Sequence, residues 1–328
     1  MVNGSWIRFL FLTLWVAGGV IVAAAGVTLA GPDSNTDPIT VMSFNIRYDN
    51  PGDGDNRWEL RKDAVAQQIR DLDPEILCLQ EALRHQLDEL ETLVPGYLEI
   101  GVGRDDGVAA GEYSAILVKP ERFSVVRQGT WWLADKYAEP GATSYGNTIP
   151  RIVTGAVLVD SSGDTLSVFN THLDHQSQES RAASVMLIRF FLWQNGTGPI
   201  ILTGDFNAGE DNPALQPLYR TYPLPGQIPD GHGETMFVTW EDADQGVGEP
   251  WHEPFRDTFR VLHPDADNVG TYNSWTGDRS GDKIDYVFVS TGWEVLESGI
   301  LNETVNGRYT SDHFPVYATL KLAGPDPE

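Results

Sequence analysis

Short apolar runs follow one another along this chain, and polar side chains gather where those runs stop. From residue 39, "ITVMSFNI" has the β-branched and apolar make-up of a strand. "WELRKDAVAQQIRDL" then places Trp58, Val65, Ile69 and Leu72 near helical spacing, which predicts a helix packing back on that strand. "PEILCLQE" predicts a short buried strand ending in Glu81. "RHQLDELETLVPG" predicts a second helix, stopped by Pro95 and Gly96.

The middle of the chain is richer in strands: "YSAILVK", "FSVVRQGT", "RIVTGAVLV" and "LSVFNTHL". A helix over "SQESRAASVMLIRFFLW" leads into the strand "PIILTGDFN", and "KIDYVFVS" and "FPVYATLKL" close the set. Residues 222–254 are rich in Pro, Gly and acids and predict a long loop or lid rather than a separate domain. With no internal repeat and no break in composition, residues 39–321 predict one α/β domain: two packed mixed sheets flanked by helices. Residues 322–328 are left as a flexible tail.

The N-terminus is a different object. Residues 9–30, "FLFLTLWVAGGVIVAAAGVTLA", carry no charge and follow Arg8, a length that can span a bilayer as a helix. Small residues at "AAA" and "TLA" also suit cleavage by a signal peptidase. Residues 1–30 are thus read as a signal peptide or an N-terminal membrane anchor, and 31–38, "GPDSNTDP", as a linker. With Arg8 on the cytoplasmic side, either reading puts the domain outside the cytoplasm, secreted or held at the membrane by residues 9–30.

Charge narrows the partners. Forty-seven acids against 22 bases give a net charge of −25. Such a surface repels a phosphodiester backbone and disfavours loose nucleic-acid binding. It also suits a high-salt milieu, where the Debye length falls to about 3 Å at 1 M. The one cysteine, Cys78, lies in the apolar run "EILCLQ" and is read as a small buried hydrophobe. A monomer is expected.

The candidate chemistry lies at the strand ends. Asn45 closes "VMSFN", Glu81 closes "ILCLQE" and His172 closes "VFNTH". Asp205 and Asn207 close "IILTGDFN", Asp285 sits in "DKIDYVFV", and Asp312 and His313 precede the last strand. Taken singly, each has an ordinary reading as a turn former, a cap or a satisfied loop histidine. Six apolar strands ending this way need a common cause, and a metal-and-phosphate site at one end of the sandwich supplies it. Carboxylate and amide oxygens with few nitrogens suit a hard cation, Mg²⁺ or Mn²⁺, rather than structural zinc.

Together "MSFNIRYDN", "LQEAL", "NTHLDH", "GDFNA", "KIDYVFVS" and "SDHFPV" resemble, in order, the motifs of the endonuclease/exonuclease/phosphatase superfamily. The resemblance implies a four-layer α/β sandwich and a divalent-metal-dependent phosphoesterase. It also implies roles: Glu81 as principal metal ligand with Asn45 beside it, and Asp312 supporting the metal or the His313 loop. Asp205 and Asn207 would position the attacking water and the phosphate, and His313, oriented by Asp285, would act as base or protonated clamp. His172 would be the general acid.

The substrate is less defined. Arg47, Arg57, Arg104 and Arg151 lie near motif segments and are candidates for phosphate contact, with solvated or structural arginines as the ordinary reading. His175 with Asp174 could make a second metal site or simply a turn, and Trp131 and Trp132 could stack on a substrate or cap a core edge. The leading expectation is hydrolysis of a small-molecule or lipid-derived phosphate ester outside the cytoplasm. An exported nuclease on DNA or RNA, and a membrane-tethered binding protein without turnover, are the alternatives.

Overall fold

The structure is a computed structural model describing residues 37–220, 227–229, 235–237 and 253–323. The apolar N-terminal run, most of the 222–254 segment and the tail from 324 lie outside the described residues. Among the described residues no helix is long and apolar enough to cross a membrane.

In chain order the first elements are β1 (Ile39–Asn45), α1 (Trp58–Leu72), β2 (Ile76–Ala82), α2 (Arg84–Leu93), β3 (Leu98–Ile100) and β4 (Tyr113–Val118). Next come β5 (Phe123–Trp132), β6 (Ile152–Asp160), β7 (Thr165–His172), α3 (Gln178–Asn195) and β8 (Ile200–Asp205). A short antiparallel pair, β9 (Gln227–Pro229) and β10 (Thr235–Phe237), stands apart from both main sheets. The chain closes with β11 (Arg256–Asp257), α4 (Thr258–Leu262), β12 (Asp285–Val289), β13 (Trp293–Ile300) and β14 (Val316–Leu322).

Two six-stranded sheets result, ordered β13-β14-β1-β2-β4-β3 and β11-β12-β8-β7-β6-β5. Each is mixed: β1 and β2 run parallel in one, β7 and β8 in the other. Period-two alternation explains the layering. In β1, Val41 joins the core between the sheets, whereas Met42 and Phe44 face α1 and α2. In β7 and β8, Val168 and Ile201 face the other sheet, whereas Phe169 and Leu202 meet Ile188 and Phe191 of α3. The order is therefore helix, sheet, sheet, helix, the expected four-layer sandwich.

The differences from the sequence expectation have simple causes. β13 was not expected, because "WEVLESGI" carries two glutamates and forms an edge strand with a half-exposed face. β3 is only three residues long and falls below any pattern. β14 runs to Leu322, and the amide of Ala323 still donates to the Gly292 carbonyl at 2.9 Å, so the ordered part of the domain passes residue 321.

One polar cluster lies within this apolar sandwich. Asn170 of β7 accepts from Gln80 Nε2 at 2.7 Å and donates to the carbonyls of Leu79 and Ala115 at 2.9 and 2.8 Å. Thr203 Oγ1 also lies 3.2 Å from Asn170 Oδ1. These bonds cross between the sheets just below the ends of β2, β7 and β8, and fix their relative register. Removing the amide orphans buried partners, so Asn170→Ala is expected to cost about 3 kcal/mol in chemical denaturation, at about 1–3 kcal/mol per orphaned group. A loss below about 1 kcal/mol would remove this cluster from the account of the fold.

Candidate functional site

Three local devices aim side chains toward one pole of the sandwich. The first is a bulge in β2: pairing with β4 shifts register between Gln80 and Ala82, and Glu81 takes φ +62°. Strict alternation would send Glu81 to the helix side with Leu77 and Leu79; the bulge turns it to the strand mouth. The second is Gly204, φ +151°, where a Cβ would lie 2.2 Å from the Thr171 carbonyl oxygen. Only glycine lets β8 approach β7 this closely one residue before Asp205. The third is a pair of left-handed residues after strands, Arg47 (φ +58°) and Asn207 (φ +47°). Asparagine visits this region readily; arginine and glutamate do so at a cost of order 1–3 kcal/mol each, as functional sites often require.

Strand register completes the convergence. Asp205 pairs in strand register with Asp285 on one side and with His172 on the other. Its Oδ2 accepts from Asn45 Nδ2 at 2.9 Å, and its Oδ1 accepts from the Asn207 amide at 2.9 Å. His172 Nε2 lies 3.5 Å and His313 Nε2 3.7 Å from the same Oδ2. His313 Nδ1 is 2.9 Å from Asp285 Oδ2. Asn45 Nδ2 also donates to Glu81 Oε1 at 3.0 Å, and the Tyr48 amide donates to Glu81 Oε2 at 3.1 Å. Asp312 reaches the group through Arg47, whose Nε is 3.7 Å from Asp312 Oδ2 and whose Nη1 is 3.8 Å from Glu81 Oε2.

All eight expected catalytic and metal-ligating residues therefore meet at one place, and all but Asn207 are buried. A cavity of about 460 Å³ opens over them, with Arg47, Glu81, Arg104, Arg151, His172, Asp205, Asn207, Asp312 and His313 in its lining. Arg104 is clamped to Glu112 by two bonds of 2.7 Å, and Arg151 lies 3.4 Å from Asp174 and 2.9 Å from His175 Nδ1. Arg57 is outside the group, half-exposed and 4.0 Å from Asp49.

The alternatives left open by sequence also resolve. Asp174 accepts the amides of Gln176 and Ser177 at the start of α3, a turn role, while His175 joins the cavity wall. Trp131 stacks on Phe191 at 5.1 Å, and Trp132 is buried, donating to the Arg104 carbonyl. Both cap a core edge.

Three contributors were missed. Glu112 stands at the mouth of β4, the same position by which Glu81 was found, and its Oε2 is 3.8 Å from His172 Nδ1. Asn170 interrupts "VFNTH" in mid-strand, a signal overlooked. Tyr272, edge-on to His313 at 5.2 Å and lining the cavity, sits in "GTYNSW", which offers no pattern to read.

Electrostatics splits these groups. Burial pushes the Asp205 carboxyl up to about 7, helped by Asp285 and opposed by His313, the Asn207 amide and Asn45. Burial likewise carries Glu112 up to about 7 against the pull of Arg104, and raises Asp312. The two histidines part company. Burial and the charges of Arg151 and Arg104 hold His172 well below its ordinary value. Burial opposes charge on His313 too, but Asp285, Asp205 and the Asp285 hydrogen bond overcome it and raise the ring well above that value. The pole thus crowds five buried or largely buried carboxylates around a few fixed cations, and Asp285 Oδ1 has no hydrogen-bond partner. An oxygen-rich, acid-heavy set of this kind fits a hard divalent cation. Among the described residues, Asp205, Asp285 and His313 bring ligand atoms within 4.8 Å of one another, while Glu81 and Asp312 form a second oxygen-rich corner.

Comparisons with known proteins give the family. The profile of the Endonuclease/Exonuclease/phosphatase family matches residues 42–313. An endonuclease/exonuclease/phosphatase from Bacteroides vulgatus is 30% identical with a TM-score of 0.72, over 88% of this chain and 100% of that one. A mannosyl-6-phosphatase from Bacteroides thetaiotaomicron VPI-5482 is 28% identical with a TM-score of 0.68, over 86% of this chain and 99% of that one. Nocturnin from Drosophila melanogaster is 24% identical over an alignment of 302 positions that covers 82% of this chain and 42% of the relative, so the chain spans under half of that protein.

The split between the two histidines is measurable by NMR of the imidazole nitrogens in metal-free protein. At pH about 6.5, the ordinary histidine midpoint, His313 is expected to be charged and His172 neutral. Matching titrations of the two rings would contradict the electrostatic picture.

Proposed function

The chain belongs to the endonuclease/exonuclease/phosphatase family and is a metal-dependent hydrolase of phosphate ester bonds, and from that premise we propose that its substrate is a small phosphate ester met outside the cytoplasm. The observation that carries the chemistry is the Asp205 carboxylate, held by Asn45 and Asn207 between two histidines and pushed up to about 7. A carboxylate with that affinity for protons takes one from water more readily than an ordinary aspartate does.

The steps follow from the residues. Asp205 accepts a proton as the water oxygen bonds to phosphorus, with Asn207 beside it to direct a phosphate oxygen. His313, held charged by Asp285, faces the same centre; its positive charge complements the transition state, and its proton passes to the departing ester oxygen as the P–O bond breaks. His172 is neutral in the resting site, which suits an N–H donor to a phosphate oxygen better than a resting general acid. Each proton transfer of this kind contributes about 10²- to 10⁴-fold. Glu81, Asn45 and Asp312 would hold a divalent cation, Mg²⁺ or Mn²⁺ in this reading. When bound, the cation neutralises phosphate oxygens as a Lewis acid and template.

Size and charge support a small substrate. A cavity of about 460 Å³ takes a compact phosphorylated molecule, and a net charge of −25 repels a polynucleotide. The mannosyl-6-phosphatase relative acts, by its name, on a phosphorylated sugar, and a sugar phosphate is the substrate class we favour here. The uncharged run at residues 9–30 supports placing the domain beyond the cytoplasmic membrane.

Purified protein with Mg²⁺ or Mn²⁺ is expected to release phosphate from hexose phosphates at least about tenfold faster, per kcat/KM, than it cleaves a nucleic-acid oligonucleotide, about 1.4 kcal/mol of discrimination. Preference for the oligonucleotide would overturn the substrate reading, and no turnover of either would favour a binding protein. Cell fractionation should recover the chain with membranes or outside the cell; a cytoplasmic pool would overturn the location.

A further inference from the structure

The position of Arg47 bears on how the cation enters. Its guanidinium is fixed on its outer edge: Nε and Nη2 donate to Asp53 at 3.0 and 3.1 Å, and Asp53 is itself held by Asn50 Nδ2 at 3.0 Å. The ring of Tyr48 lies 4.6 Å from the guanidinium carbon. On the other side Nη1 lies 3.8 Å from Glu81 Oε2, and the same Nε that bonds Asp53 lies 3.7 Å from Asp312 Oδ2. Both distances exceed hydrogen-bond range, so Arg47 neutralises these two carboxylates without bonding to either. Yet they are the oxygens assigned above to the divalent cation, and a guanidinium stands between them.

We propose that Arg47 is a resident counter-ion of the metal site, which a divalent cation must outcompete. In the metal-free chain it offsets the repulsion between Glu81 and Asp312 and preserves the cavity. On loading, the cation takes over that neutralisation, and Asp53 retains the guanidinium at the rim. Nη1 of Arg47 would then be free of carboxylate at the cavity Arg47 lines, where a phosphate group is the natural partner. Metal affinity is thereby held down, and phosphate recognition is coupled to metal occupancy. The inference rests on the cation site proposed above.

Calorimetric titration of the full chain with Mn²⁺ alone tests it, using Arg47→Gln, Arg57→Gln and Glu81→Gln. Arg47→Gln should bind Mn²⁺ about tenfold more tightly or better, ~1.4 kcal/mol, and keep that gain at about 1 M salt, where exposed charges are screened within about 3 Å. Arg57→Gln, a rim charge paired with Asp49, should change affinity by about twofold or less, and lose even that at high salt. Unchanged or weaker binding by Arg47→Gln overturns the counter-ion role. Glu81→Gln separates the two levels: if it leaves Mn²⁺ binding intact, the cation site itself is wrong. If it weakens binding while Arg47→Gln fails to tighten it, only the counter-ion fails. Should Arg47→Gln not fold, the Nε resonance of Arg47 in the labelled wild-type chain serves instead. It should shift on titration with Mg²⁺, and a resonance that stays fixed through saturation overturns the proposal.

Discussion

A carboxylate buried between two imidazoles is costly to keep, and the arrangement of this fold follows from keeping one. Asp205 has almost no contact with solvent, a like charge beside it on β12 and two ring nitrogens within 3.7 Å. Isolated in an apolar interior, such a group would simply stay protonated. Two donors, Asn45 Nδ2 and the Asn207 amide, hold the ionised form within reach, so the group is poised near neutrality rather than silenced. Those donors come from different sheets, because Asn45 ends β1 and Asn207 follows β8. The site exists only while the two sheets keep their register.

That requirement explains features that look uneconomical for stability alone. The sheets are pinned beneath the site by the Asn170–Gln80 bonds rather than by another apolar pair. Arg61, fully buried in α1, donates only to main-chain carbonyls, those of Ile46, Arg47, Asn56 and Thr310, and so ties the loop after β1 to the loop carrying Asp312 and His313. Glu81, Arg47 and Asn207 hold left-handed backbone to aim their side chains. Local strain and buried polarity gather at one pole, while apolar packing between and outside the sheets supplies the stability that offsets them.

Much of this was legible in the chain. Strands such as "ITVMSFN" and "IILTGD" announce themselves by apolar content, and polar residues at their mouths identified Asn45, Glu81, His172 and Asp205 before any geometry. Convergence of those mouths was not contained in the pattern; the order of motifs, through family resemblance, supplied it. The rest was hidden for physical reasons. The bulge that redirects Glu81 leaves no mark in composition, and β13 reads as a charged segment because its outer face is wet. Tyr272 reaches the cavity from a loop, where side-chain direction follows no period. The opposite proton affinities of His172 and His313 depend on neighbours drawn from four other segments, which no local window holds.

The proposed hydrolysis depends on Asp205 as the group that takes the proton of the attacking water. Steady-state kinetics of Asp205→Asn on a phosphate ester the wild type turns over tests this most directly, because the amide keeps size and most contacts but has no basicity. The expected result is a kcat lower by about 10²- to 10⁴-fold with KM nearly unchanged. A kcat within about threefold of wild type would contradict it, since that difference is under ~1 kcal/mol of barrier.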